Sequence, residues 1–296
     1  MLGVRGRMRP RWISSLAVLA AVGAASVTGV HALPEAGAAP GPVAAVSSDG
    51  RMFPLGGPGS GPVGVSASSG SVPPAPKHVV GTDDRVRVNP TTTYPASATV
   101  LIRMSAGDCS GWMISRNTVA TAGHCVSPGN GSFYGGFTVY PARNGSTSPY
   151  GSCGVKTMWT NTEWLRNKNW FYDYGALRLN CNIGDRTGWY GFFWTSSSLN
   201  NSVATTQGYP GDKTYGTQWM ASGTVTENGS SRFRTRIDIF GGQSGSAYYK
   251  YYSSTCSVCA LAIASTEHHV GSDYWNEATR ITKPVFDFLV GVKNSP

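Results

Sequence analysis

Beyond residue 78 the sequence predicts an all-β fold, a barrel or a sandwich, and three observations carry that prediction. The apolar runs are short. Turn pairs such as Gly-Asn, Asn-Gly, Pro-Gly and Ser-Gly separate them. Trp, Tyr and β-branched residues are frequent within them.

In chain order, the first element is an address. Arg5, Arg7, Arg9 and Arg11 precede an apolar stretch from Ile13 to about Val30, and Val30-His31-Ala32 follows as a small-x-small cleavage pattern. This reads as a signal peptide over 1–32, rather than the weakly hydrophobic membrane anchor that is its rival, and it sets an expectation of export. Residues 33–77 are rich in Ala, Gly, Pro, Ser and Val, with Phe53 as the sole aromatic. Such a segment is expected to be disordered, a spacer or a propeptide. The composition changes at Pro76-Lys77-His78, so the folded domain is placed at 78–296.

Within that domain strands are expected at Ala98–Ile102, Gly111–Ile114, Thr118–Ala120, Phe137–Tyr140, Tyr174–Leu179, Gln218–Ala221, Gly223–Val225 and Ser246–Tyr249. The C-terminus differs. Thr282-Lys283-Pro284, followed by Val285, Phe286, Phe288, Leu289 and Val290, predicts a final helix at about 282–291.

Composition narrows the function. The 296 residues are 13% charged and 40% hydrophobic, with a net charge of +9. Six of the 24 Lys and Arg residues lie before position 78. The 18 basic and 13 acidic residues that follow form no run or stripe, so no nucleic-acid partner is expected. No later segment is long and apolar enough to span a membrane, so no lasting membrane association is expected once the signal is removed. No HExxH occurs and Cys256-Ser257-Val258-Cys259 has no second CxxC, so no metal and no cofactor are expected.

Three segments carry chemistry. Thr121-Ala122-Gly123-His124-Cys125 sets an imidazole among small residues after a strand. Tyr172-Asp173-Tyr174-Gly175 opens a strand with a carboxylate able to fix a histidine tautomer. Gly241-Gly242-Gln243-Ser244-Gly245-Ser246 is a tight turn whose N–H groups can face an oxyanion beside a serine. The order His124, Asp173, Ser244, with a strand after the serine, is not that of the nucleophile-elbow esterases, which run serine, acid, histidine into a helix.

These segments resemble the chymotrypsin-fold serine endopeptidases. With Val80 to Arg85, Gly111 to Ile114 and Thr279 to Lys283, the likeness extends to the bacterial glutamyl endopeptidases and covers essentially all of 78–296. The resemblance implies two antiparallel six-stranded β-barrels, at about 78–185 and 186–280, with the site between them and a C-terminal helix. It implies Ser244 as nucleophile, His124 as general base, Asp173 as its orienting acid, and the Gly242 and Ser244 N–H groups as oxyanion hole. It also implies a zymogen maturing at His78, protein or peptide substrates and a monomer. Gln243 departs from the animal digestive enzymes, which have aspartate before the serine.

The resemblance further implies a Cys109–Cys125 bridge. Cys256 with Cys259 and Cys153 with Cys181 are the pairs then considered, among fifteen connectivities that stay open. Substrate-recognition candidates are Ser265 and Thr266, where the family's pocket histidine is expected, His268 if the strand is shifted, and Asp238, six residues before Ser244. Cleavage after Glu or Asp, cleavage after Lys or Arg, and a catalytically silent binding module are the three readings carried forward.

Overall fold

The structure, a computed structural model, describes residues 42–56, 79–252 and 256–296. The expected signal peptide at 1–32, most of the expected propeptide and the His78 start lie outside the described residues.

A hairpin of β1 (Ala44–Ser47) and β2 (Met52–Pro54) precedes the short β3 (Val86–Arg87). The first barrel is built from β4 (Thr99–Met104), β5 (Gly107–Ser115), β6 (Thr118–Thr121), β7 (Thr138–Pro141), β8 (Cys153–Asn161) and β9 (Gly175–Leu179). They pair in the order β8-β7-β4-β5-β6-β9 and close through β8–β9. After β10 (Gly191–Phe192) come β11 (Val203–Gly208), β12 (Trp219–Asn228), β13 (Arg232–Thr235), β14 (Ala247–Tyr251), β15 (Val258–Val270) and β16 (Asp273–Arg280). These six run β15-β14-β11-β12-β13-β16 and close through β15–β16. The expected pair of six-stranded barrels is present, and closure removes the exposed edges that an open sheet would leave.

Apolar side chains of these strands fill two interiors. Val100 and Ile102 of β4, Trp112 and Ile114 of β5, and Leu177 and Leu179 of β9 are buried in one cluster; Val225, Phe233, Leu261 and Ala278 belong to the second. Gln218–Ala221 and Gly223–Val225, expected as two strands, fall together in β12 from Trp219 onward, because Ser222 between them pairs with Thr205 of β11 and carries the ladder through.

The described residues also include three α-helices: α1 (Thr162–Asn167), α2 (Gly184–Thr187) and α3 (Lys283–Asn294). The C-terminal helix runs three residues beyond its expected end. Val285, Phe288, Leu289 and Val292 form the buried stripe that holds it. Thr282 occupies the N-cap position without a capping hydrogen bond from its side chain. The bridges are Cys109–Cys125, Cys153–Cys181 and Cys256–Cys259, so the two pairings left open are the ones formed.

One expectation is corrected. Residues 33–77 were expected to lack structure, yet 42–56 belong to the same unit as the barrels and β1 pairs antiparallel with β8. The segment is too poor in apolar surface to fold alone, but it pairs with the stretch of β8 beyond the reach of β7 and so gains backbone hydrogen bonds.

Candidate active site

Strand pairing creates the first half of the site. β6 and β9 are antiparallel neighbours with Thr121 opposite Gly175. The chain leaving β6 enters a 3-10 turn, Gly123–Cys125, that carries His124, and Asp173 stands just ahead of β9. The two side chains therefore emerge together. His124 Nδ1 lies 2.8 Å from Asp173 Oδ2, and the His124 backbone N–H donates to Oδ1, also at 2.8 Å.

Asp173 is fully buried. Burial pushes its carboxyl up, but the facing His124 imidazole and the hydrogen bonds from His124 and Ser265 outweigh that and hold it below its ordinary range. An ionised carboxylate at Nδ1 keeps the ring proton there and leaves the Nε2 lone pair available.

The Ser244 turn joins the two barrels. Gly242 and Gly245 have φ values of +99° and +84°, a region that disfavours L side chains. A Cβ on Gly242 would meet the Tyr209 carbonyl, and one on Gly245 would meet the Ser110 carbonyl and the Thr121 hydroxyl. Gln243, fully buried, folds back to accept from the Phe240 N–H at 3.0 Å, so it steadies the turn from within. From the first barrel, the Ser110 N–H donates to the Ser244 carbonyl at 2.8 Å and the Ser110 hydroxyl donates to the Gly242 carbonyl at 2.8 Å. Cys125 Sγ lies 3.7 Å from the Ser244 carbonyl, which places the turn beside His124. Among the described residues, the Gly242 and Ser244 N–H groups donate to no protein acceptor, and no hydrogen bond joins Ser244 Oγ to the His124 ring.

Several residues at the site carry no signal in the sequence. Trp164 and Trp170 pack around His124, with ring centroids 6.2 and 5.8 Å away. Asn161 caps α1 by accepting from the Trp164 N–H at 2.9 Å, and its amide donates to the Tyr172 carbonyl at 2.7 Å, next to Asp173. Arg232, buried in β13, donates to Glu277 at 2.8 Å, to Thr266 Oγ1 at 3.0 Å and to the Trp170 carbonyl at 2.5 Å. Only Ser110 had a cue, its place beside Cys109.

The substrate-recognition candidates are each engaged within the fold. A β-bulge falls between Ala264 and Thr266 where β15 pairs with β16, and bulges re-aim side chains. The Ser265 hydroxyl consequently donates to Asp173 Oδ2 at 2.6 Å and serves the carboxylate. Thr266 is buried and bonded to Arg232 and to His268 Nε2, the latter at 2.9 Å. His268 stacks on Trp275 at 5.8 Å, so the bulge does not free its ring. Burial lowers the His268 pKa, and Arg232 and Arg234 add to that against Glu277. Asp238 accepts the Val80 N–H at 2.7 Å and the Asp84 N–H at 3.1 Å. Both its oxygens are thus committed to the segment preceding β3. Its carboxyl is raised by burial, which these two hydrogen bonds only partly offset.

The trypsin family model matches residues 86–260 of this sequence. The chain belongs to the trypsin family. Among curated relatives, it is 46% identical over 232 residues to the glutamyl endopeptidase of Bacillus licheniformis, covering 77% of this chain and 73% of that protein. It is 37% identical over 222 residues to the extracellular metalloprotease of Bacillus subtilis, covering 72% and 68%. Among solved structures, a Glu endopeptidase in complex with MPD matches with a TM-score of 0.68 at 26% identity, over 74% of this chain and all of that one. The protease Anisep from Arthrobacter nicotinovorans shares the fold, with a TM-score of 0.57 at 22% identity over 67% and 94%. The chain is thus a trypsin-family serine endopeptidase of chymotrypsin fold and a glutamyl endopeptidase homologue.

The word metalloprotease in one relative's name raises the question of a metal. Cys109, His124 and Cys125 place potential ligand atoms within 4.8 Å of one another. Both sulfurs are bonded to each other and His124 Nδ1 is engaged by Asp173. A disulfide offers no thiolate, so this donor set does not suit a resident metal.

Proposed function

We propose that the protein is a secreted endopeptidase in which Ser244, His124 and Asp173 form a catalytic triad, acting by an acyl-enzyme route and cutting after Glu or Asp. The observation that carries the reading is the buried Asp173 carboxylate on His124 Nδ1, beside a turn that presents Ser244 and two uncommitted N–H groups. His124 Nε2 takes the Ser244 proton as Oγ attacks the scissile carbonyl, and later returns it to the leaving amine. The Gly242 and Ser244 N–H groups receive the developing oxyanion, each worth about 3–4 kcal/mol in comparable sites. Ser244 and His124 are not hydrogen-bonded without substrate, and such contacts often tighten only when substrate binds.

The acidic preference is supported by the 46% identity to a glutamyl endopeptidase. The Lys/Arg alternative rested on Asp238, whose commitment to the Val80 and Asp84 backbone weighs against it. Secretion is supported by the extracellular relative and the signal-like N-terminus. Maturation near His78 completes the proposal, together with monomeric action on protein or peptide substrates. Peptide-library profiling of the secreted protein tests it: cleavage after Glu or Asp is expected, with a roughly million-fold loss of turnover in Ser244→Ala. Cleavage confined to Lys and Arg, or activity retained by the serine variant, would overturn it.

A further inference from the structure

The hairpin of β1 and β2 precedes the segment matched by the trypsin family model, yet it is seated on the first barrel as one of its strands. Along β8, β7 pairs only with Cys153 and Gly154, leaving room further on. There Ala45, Val46 and Ser47 pair with Asn161, Thr160 and Trp159, and the Ser48 N–H donates to the Met158 carbonyl at 2.9 Å. Ala45 is fully buried and Leu55 nearly so, both within the first-barrel cluster. Phe53 packs on Trp159 with centroids 5.5 Å apart and fills the space above Gly291 of α3, where no side chain would fit. Arg51 also lies over the Trp159 ring, 5.0 Å from its centroid. It is paired with Asp49 at 2.7 Å, and donates to the Pro296 carbonyl at 2.7 Å.

We propose that residues 42–56 are a docking segment that stays on the first barrel as a separate, non-covalently held peptide after the chain is cut between it and residue 79. The physical basis is strand addition: backbone hydrogen bonds supply affinity, and pockets for alternate side chains supply specificity. Here the pockets are the buried site of Ala45 and the Trp159–Gly291 cleft of Phe53. The docked strand also braces the site. Its register partner Asn161 caps the helix bearing Trp164 and holds the carbonyl of Tyr172, beside Asp173. The Ala44 N–H donates to Thr162 Oγ1 at 3.2 Å at the start of that helix. The segment therefore acts as a retained structural partner of the barrel, outlasting its covalent link.

The test uses the full chain carrying Ser244→Ala to prevent self-digestion, with the recognition site of an unrelated, sequence-specific protease placed within residues 61–70. After complete cutting, size-exclusion chromatography and native mass spectrometry read whether the small fragment travels with the barrel domain. Retention at micromolar concentration is expected, and release of the fragment overturns the proposal. Ala45→Glu and, separately, Phe53→Ala should shed the fragment after cutting while the uncut chains melt as single transitions. Retention in both variants would equally refute the docking surface. The outcome does not depend on which bond the enzyme hydrolyses, so failure of the specificity assignment and failure of the docking proposal are distinguishable.

Discussion

Asp173 shows how one side chain links folding to chemistry. The residue type and its strand-opening position were legible in the sequence. The Ser265 hydroxyl that supports it was not, because that contact depends on a bulge between strands distant in sequence. Its electrostatics make a signed prediction. The folded pKa lies below the ordinary 3.8, so between the two values the unfolded chain holds the extra proton. The stabilisation from Asp173 is complete above 3.8 and drains away as pH falls through the folded value. Asp238 has the opposite sign: its raised pKa gives a contribution that is full below 3.8 and is lost as pH rises through the folded value. Urea unfolding of wild type and Asp173→Asn should therefore show a large stability gap at pH 6 that narrows at pH 3. A gap independent of pH would contradict the assignment. The same variant should lose about ten-thousand-fold in turnover through the wrong histidine tautomer.

At the level of elements, legibility followed the hydrophobic pattern. β4, β5, β6, β7 and β9 alternate or run apolar, and each was expected within a few residues. β13 and β16 escaped notice, because Arg232 and Glu277 are buried within them as a pair and break the period that marks a strand. α1 is a single polar-looking turn and half, held by its Asn161 cap and the burial of Trp164 rather than by a long periodic stripe. The Cys109–Cys125 bridge fastens β5 to the turn carrying His124 across a sequence separation of 16. Replacing both cysteines with alanine should cost about 3 kcal/mol by the loop-entropy relation, read as a lower urea midpoint with an unchanged native circular dichroism spectrum. A midpoint equal to wild type would show that the strand pairings alone fix that turn.

The whole molecule reveals what local reading cannot. Two closed barrels, with the site at their junction, were implied by the resemblance. The hairpin at 42–56 was invisible, since Ala44-Ala45-Val46-Ser47 has too little apolar surface to announce a strand and becomes one only against β8. The junction itself is held by Ser110, which bonds from β5 to both the Ser244 and Gly242 carbonyls across the barrel boundary. In the proposed triad, that arrangement makes the reactivity of Ser244 depend on both barrels at once, and it can be read directly. Treating the mature protein with a serine-directed aryl phosphonate and mapping the adduct by mass spectrometry should give one phosphonyl group per chain, on Ser244, and none in Ser244→Ala or in the unfolded protein. Peptidase activity persisting after Ser244 is fully labelled, or inactivation with Ser244 unmodified, would contradict the triad.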